Sequence, residues 1–306
     1  MGIVYNGIMG VVVGDALGVP YEFKERDTFT ASDMIGYGTH NQPPGTWSDD
    51  SSLTIATLES IGRLGYIDPE DIMENFKEWL CKGRFTAHGN VFDIGAATHK
   101  AIRKAINGVK PLECGGAEEF DNGNGSLMRI LPLLFIDHNY TDICAVSGLT
   151  HVHDLSKWAC AVYLNAALGC KSAYDLRRKF DKNIRTPYEC VELPLKVSGM
   201  RPEMECIKSV MLRKREEIKN SGYVVDTLEA AFWCFINSKS YKECVLLAVN
   251  LGGDTDTIAA VAGGLAGLYY GIGGEDGIPE EWIKKIARKN SIKKLCDDFE
   301  AKVGQK

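Results

Sequence analysis

Apolar residues return at helical spacing along almost the whole chain, and no stretch of useful length alternates apolar and polar residues with a period of two. This removes most fold classes, because a half-buried strand needs period two whereas an amphipathic helix needs 3.6. The nearest approach to a strand, residues 191–195, contains a proline that cannot donate to a ladder. The expectation is an all-α, compact, single-domain orthogonal helical bundle over residues 1–306, with about a dozen helices. Residues 171–220, basic and then charged throughout, are expected at its periphery, with a surface helix over 202–219. The tail is expected to fray from about 298.

Two stretches stand out inside that pattern. Gly7, Gly10, Gly14 and Gly18 recur every three to four residues in an apolar run that ends at Pro20, which predicts a smooth helix face against which another helix packs closely. Near the other end, Ile258 to Leu268 is a run of small and apolar residues that reads as a buried helix. The apolar run near 258–272 is broken by glycines and preceded by acids, so it reads as core helix rather than membrane span. Elsewhere the helix starts are local and clear. Asp68-Pro69-Glu70-Asp71 supplies a cap, a proline at the first helical position and acids in the first turn. Pro279-Glu280-Glu281 starts what reads as the last clear helix.

Both ends of the apolar framework carry paired acids. Trp47-Ser48-Asp49-Asp50 precedes the helical period Leu53, Ile55, Leu58, Ile61, and Gly252-Gly253-Asp254-Thr255-Asp256-Thr257 precedes the 258–268 run. An isolated acid at a helix start is an ordinary cap. Two carboxylates in one dry site repel unless a proton or cation intervenes. Oxygen-only donors, with no Cys or His beside them, favour Mg²⁺, Mn²⁺ or Ca²⁺ over zinc. Spacing alone leaves open whether the two sets, about two hundred residues apart, meet. A loop from Asp121 to Arg129, rich in Asn and Gly, could present amides to a phosphate, although Asn-Gly pairs mostly mean turns. Thr150-His151-Val152-His153-Asp154 reads as the cap of a long helix.

The balance of charges excludes other partners. Net charge is −6 with no basic block, so nucleic acid is not expected as a partner, and no membrane association is expected. The ten cysteines are scattered without a Cys-x-x-Cys pair and read as buried free thiols, which fits a reducing, cytoplasmic compartment. No basic and apolar leader is evident at the N-terminus.

Taken together and in order, Gly14-Asp15-Ala16-Leu17-Gly18, Trp47-Ser48-Asp49-Asp50, Gly123-Asn124-Gly125-Ser126-Leu127-Met128-Arg129, Thr150-His151 and Gly252-Gly253-Asp254-Thr255-Asp256-Thr257 resemble the ADP-ribosylglycohydrolase family, of the group that includes dinitrogenase-reductase-activating glycohydrolase. The resemblance runs from about residue 5 to 272. It implies an all-α fold with a binuclear metal cleft, two divalent cations (Mg²⁺ or Mn²⁺), and hydrolysis of the glycosidic bond at C1″ of ADP-ribose. It implies metal ligands at Ser48, Asp49, Asp50, Asp254, Asp256 and Thr257, with Asp256 bridging, and Glu22 as a further ligand or acid–base group. Asn122, Gly123, Asn124, Gly125, Ser126 and Met128 would hold the diphosphate and distal ribose, His151 would bond the same region, and Tyr223 would stack on adenine. Phe92, Asp93 and Gly95 match the scissile side. Ser48 departs from the threonine that many members carry but keeps the hydroxyl, and His153-Asp154 stands where proline-containing turns are common.

On that resemblance the catalytic set is Asp50, Glu22 and Asp93: Asp50 or Glu22 as base for water, and Asp93 to receive a cationic arginine leaving group. The partner is then an ADP-ribosylated protein or small molecule, and a monomer is expected. Serine-linked ADP-ribose and O-acetyl-ADP-ribose stay open as acceptors. Two alternatives belong to other classes. One is a non-catalytic ADP-ribose binder, which loss of a metal acid would mark. The other is a phosphatase of the haloacid-dehalogenase type, whose Asp-x-Asp-x-Thr pattern is approached by Asp254-Thr255-Asp256-Thr257, with Ile258 at its last position, and should follow a parallel strand.

Overall fold

The apolar periodicity resolves into helices. A computed structural model describes residues 2–180, 185–195 and 209–303, and among them there are twelve α-helices and no strand. In chain order they are α1 (Ile3–Gly18), α2 (Asp49–Leu64), α3 (Pro69–Lys82), α4 (Ala96–Ile106), α5 (Tyr140–Gly148), α6 (Asp154–Phe180), α7 (Pro187–Leu195), α8 (Val224–Ile236), α9 (Tyr241–Val249), α10 (Thr255–Tyr270), α11 (Glu280–Lys285) and α12 (Lys289–Val303). The caps read from sequence are where they act. Asp68 accepts from the amides of Glu70 and Asp71, and α2 and α3 each end on a left-handed glycine, Gly65 and Gly83.

The centre is the pair α1 and α10, buried along nearly their whole length. They run antiparallel, with Gly7 against Leu268, Gly10 against Gly263, Gly14 against Ala259 and Gly18 against Asp256. A methyl group on Gly14 would sit 2.1 Å from the carbonyl oxygen of Ala259, so the two backbones touch and no larger residue fits. The Tyr241 hydroxyl donates to the Gly10 carbonyl at 2.7 Å, and Thr255 Oγ1 donates to the Gly18 carbonyl at 2.9 Å. This pairing brings the C-terminal end of α1 to the first turn of α10. Among the described residues, the helical stretch long and apolar enough to cross a membrane is Ile3–Tyr21, and it is this buried core element, not the 258–272 run.

Several expectations change. The 191–195 stretch is helical, within α7. Part of the 171–220 region is core: Ala173, Cys190, Val191, Val210 and Ile218 are buried. The charged helix expected over 202–219 lies partly outside the described residues, and its described part folds as two 3₁₀ turns, Val210–Leu212 and Arg215–Glu217. Those turns are held by tertiary bonds from side chains to backbone: Arg26 Nη1 to the Arg215 carbonyl at 2.6 Å and Trp233 Nε1 to the Arg213 carbonyl at 3.0 Å. The tail does not fray at 298, because α12 continues to Val303 and buries Cys296 and Phe299. Nine of the ten cysteines are described, none is in a disulfide, and seven are buried.

Candidate active site

Asp15 is a carboxylate inside the most buried helix, and its job is visible in its bonds. It accepts from the Ser48 amide at 2.9 Å, the Ser51 amide at 3.0 Å and Ser51 Oγ at 2.5 Å. It therefore ties α1 to the first turn of α2, where Ser48, Asp49 and Asp50 sit. Burial pushes Asp15 up to about 6 against the lowering effect of those hydrogen bonds. Sequence reading gave it no role, although an acid in the middle of an apolar helix was a signal.

The second acid set is aimed by the glycines before it. Gly252 and Gly253 have φ of +75° and +70°, and a side chain on Gly253 would run into the Asn220 carbonyl. That left-handed pair folds the chain back so that Asp254 caps α10. The two sets then meet: Asp50 Oδ2 accepts from Ser48 Oγ at 3.1 Å and from Thr257 Oγ1 at 3.3 Å, across 207 positions of chain. Glu22, from the turn after α1, lies with Asp254 and Asp256 so that their oxygens are within 4.8 Å of one another.

Five carboxylates thus converge in a buried place, and their electrostatics follow. Desolvation is the largest cause that raises Asp49, Asp50 and Asp256 well above the usual carboxylate range, and their mutual repulsion adds to it. Asp254 is raised for the same first reason, offset by bonds from Thr257 and Asn124. Glu22 is pushed to about 7 by burial, and its hydrogen bond with His40 Nε2 lowers it. Asp50 Oδ1 and Asp256 Oδ2 are buried with no hydrogen-bond partner. A buried carboxylate oxygen without a donor is costly. An oxygen-rich, anionic site with orphaned lone pairs is the donor set of a hard divalent cation, so these groups could hold metal.

Above the acids lies a cavity of about 340 Å³. Of the residues expected at the site, Glu22, Asp49, Asp93, Gly95, Gly123, Asn124, Gly125, Met128, His151, Asp254 and Thr257 line it. Ser48, Asp50 and Asp256 lie beneath, buried. Four residues expected to touch substrate lie outside the wall. Ser126 is fully buried and its hydroxyl accepts from Ser147 Oγ at 3.0 Å. Asn122 is buried and donates to the Glu119 carbonyl at 3.1 Å. Phe92 packs against the His40 ring at 5.3 Å, and Tyr223 opens α8 beside Gly123.

The loop forming one wall is latched from both sides. The Asn124 amide donates to the Gly222 carbonyl, and the Val224 amide donates to the Asn122 carbonyl, each at 3.0 Å. Asn124 Nδ2 donates to Asp254 Oδ2 at 2.7 Å, tying the loop to the acids. Arg129, at the end of that loop, is fully buried, with Nη2 donating to Thr150 Oγ1 at 2.8 Å and its plane over Phe76. Thr150 Oγ1 lies 2.7 Å from His151 Nδ1. With the Thr150 hydroxyl assigned as donor to that nitrogen, a neutral His151 carries its own proton on Nε2, which faces Gly123 and Gly125 at the cavity wall. Burial, and then the nearby Arg129 charge, push His151 down to about 3, so it is a neutral donor. The long helix after it starts as expected, with His153 Nδ1 accepting from the Leu155 amide.

Three side chains of the site had no distinguishing sequence signal. His40 lies in a glycine- and proline-rich loop, yet joins Glu22 and Asp93 in one cluster. Phe120 lines the cavity while 97% exposed, and Phe23 lines it at 69% exposed.

The chain is similar to known proteins over almost its whole described length. Residues 3–306 match the family model described as ADP-ribosylglycohydrolase. The chain is 32% identical over 305 residues to "ADP-ribosylarginine hydrolase Tri1" of Pseudomonas putida (strain GB-1), covering 96% of this chain and 76% of that one. It is 27% identical over 314 residues to the ADP-ribosyl-dinitrogen-reductase glycohydrolase of Rhodospirillum rubrum, covering 98% and 96%. A solved structure titled "ADP-ribosylglycohydrolase-related protein complex" superposes with a TM-score of 0.76 at 28% identity, covering 98% of each chain.

Proposed function

The chain belongs to the ADP-ribosylglycohydrolase family and is a hydrolase of glycosyl bonds, and we propose that it releases ADP-ribose from ADP-ribosylated arginine in a reaction that depends on two divalent cations. The observation that carries this reading is the junction of the two acid sets, where Asp50 receives both Ser48 and Thr257 while Asp50 Oδ1 and Asp256 Oδ2 stay unpartnered. Ser48, Asp49, Asp50, Asp254, Asp256 and Thr257 are the proposed ligands, for Mg²⁺ or Mn²⁺. Such ions supply positive charge and Lewis acidity to an oxygen-rich sugar.

The chain's own residues divide the remaining work. The loop 123–125 and the Nε2 proton of His151 bind the diphosphate side of the ligand. Phe120 is the exposed aromatic face on the cavity wall available to adenine, with Tyr223 beside the 123–125 loop but outside that wall. Glu22 lines the cavity beside Asp254 and Asp256, so it is the carboxylate placed to take the proton from the attacking water. Asp50 is absent from the cavity wall, with Oδ2 accepting two hydroxyls and Oδ1 buried and unpartnered, which suits a cation ligand, so the base is assigned to Glu22. Positive charge develops at C1″ in an oxocarbenium-like transition state, and the carboxylates around it stabilise that charge. Asp93 pairs with the guanidinium of the substrate; when the C1″–N bond breaks the group leaves as a neutral guanidine, and the proton that Glu22 took from water returns it to a guanidinium.

Arginine is the acceptor proposed because the Asp93 carboxylate lines the cavity and because the Tri1 relative bears that activity in its name. The phosphatase alternative lacks its structural context, since Asp254–Thr257 opens a helix and no strand is present among the described residues. Incubation with ADP-ribosyl-arginine, ADP-ribosyl-serine and O-acetyl-ADP-ribose, each with Mg²⁺, Mn²⁺ or chelator, tests the proposal. Release of ADP-ribose from the arginine conjugate alone, abolished by chelator, is expected. Tight ADP-ribose binding without release from any substrate would identify a binder instead.

A further inference from the structure

Two non-glycine residues at the cavity mouth hold left-handed backbone angles: Phe23 at φ +63° and Asp93 at φ +48°. Side chains avoid that region unless their surroundings impose it, and such residues concentrate where a side chain must be aimed. The surroundings of Phe23 do impose it. Its amide donates to the Gly253 carbonyl at 2.8 Å, the Gly253 amide donates to the Lys24 carbonyl at 2.9 Å, and Thr39 Oγ1 donates to the Glu22 carbonyl at 2.7 Å. The turn is thereby strapped to the glycine pair that aims Asp254. The strapping turns a phenyl ring outward rather than into the core, leaving it 69% exposed on the cavity wall.

The neighbours of that ring are specific. The His40 ring lies 6.2 Å from it, and His40 is paired with Glu22 and clustered with Asp93. An exposed aromatic face beside two carboxylates matches a planar cation: carboxylates take the N–H fork of a guanidinium, and an aromatic face takes its plane. A hydroxyl acceptor would gain nothing from the ring face. The other exposed ring on the cavity wall, Phe120, stands in the turn Glu119–Asp121, close in sequence to the 123–125 loop.

We propose that Phe23 is an acceptor-contacting, specificity-determining residue, whose ring stacks on the guanidinium of the ADP-ribosylated arginine while Asp93 pairs with it. This rests on the arginine reading given above, and it assigns to Phe23 a role on the acceptor and none on ADP-ribose. The test compares Phe23→Ala, Phe23→Gly and Phe23→Trp with the unsubstituted enzyme in Mn²⁺. It measures turnover of ADP-ribosyl-arginine and, separately, the Kd of ADP-ribose by calorimetry. Glycine occupies φ +63° without strain, so that variant removes the ring without threatening the fold.

Both the alanine and glycine variants should lose about threefold to thirtyfold in kcat/KM, the range expected for a cation on an aromatic face. Tryptophan should keep kcat/KM within about threefold. The Kd of ADP-ribose should be unchanged by any of the three. Unchanged kcat/KM in the alanine and glycine variants would overturn the proposal, as would a tryptophan variant no better than alanine. A loss of ADP-ribose affinity parallel to the loss of turnover would overturn it too, by assigning the ring to the shape of the cavity. Failure of the unsubstituted enzyme to cleave ADP-ribosyl-arginine would refute the arginine reading and this one with it, before any substitution is compared.

Discussion

Glu22→Gln separates the stability of the site from its function. Burial raises the Glu22 carboxyl from an ordinary 4.5 to about 7, and it is only 5% exposed. Between those values the folded protein binds a proton that the unfolded chain has released, so stability falls as pH rises through that window. The gap of 7 − 4.5 = 2.5 pH units, at about 1.36 kcal/mol each, amounts to about 3 kcal/mol of destabilisation above pH 8. Glutamine keeps an oxygen that accepts from His40 and never ionises. Glu22 in turn raises His40, and the variant loses that contribution, so the cation-free variant should be more stable than the unsubstituted protein by at most about 3 kcal/mol at pH 8.5 and by less than about 1 kcal/mol at pH 5. For 306 residues the unfolding entropy is about 0.6 kcal/mol per degree, so the Tm gain at pH 8.5 is at most about 5 °C. Urea unfolding and calorimetry in chelator at the two pH values read this directly. Turnover with Mn²⁺ should fall by about a hundredfold or more, as expected for loss of a general base. A variant no more stable at pH 8.5, or a gain independent of pH, would refute the electrostatic reasoning.

Gly14→Ala places a methyl group 2.1 Å from the Ala259 carbonyl, where backbone meets backbone, and should cost at least about 3 kcal/mol in urea unfolding or leave the protein insoluble. Gly125→Ala puts a methyl 2.7 Å from Thr98 Oγ1 and 2.8 Å from His151 Cε1, both buried side chains that must shift, so ADP-ribose affinity measured by calorimetry should fall about tenfold or more and the Tm should fall with it. Because Asp49, Asp50 and Asp256 are raised well above their usual range, protons compete with cations for them. Mn²⁺ should bind more tightly at pH 8 than at pH 6 and release protons on binding, which titrations in two buffers of different ionisation enthalpy would count.

What the sequence disclosed was local. Caps such as Asp68 and terminal glycines such as Gly65 act within one turn, so helix boundaries were legible from them. The glycines of α1 disclosed a close helix contact because their spacing alone defines a smooth face, but not that the partner is α10. Each acid pair was visible at its own helix start, whereas their meeting depends on the antiparallel α1–α10 packing that delivers Thr257 to Asp50. His40 was illegible because its partner Glu22 is 18 positions away and only the folded loop joins them. The 209–219 segment was misread because its charge content suits a surface helix. The bonds from Arg26 and Trp233 to its carbonyls favour turns instead. In α12 the buried positions Ile292, Cys296 and Phe299 keep a helical period, but charged neighbours masked it.

The central claim is that two acid sets at distant helix starts form one cation site. Anomalous diffraction from crystals soaked in Mn²⁺ tests it most directly. The account predicts two peaks about 3.5–4 Å apart under the cavity, coordinated by Asp50 and Asp256 together with Asp49 and Asp254. The same soak on Asp256→Asn should lose at least one of them. Mn²⁺ bound elsewhere, or only at one acid set with the other untouched, would contradict the account.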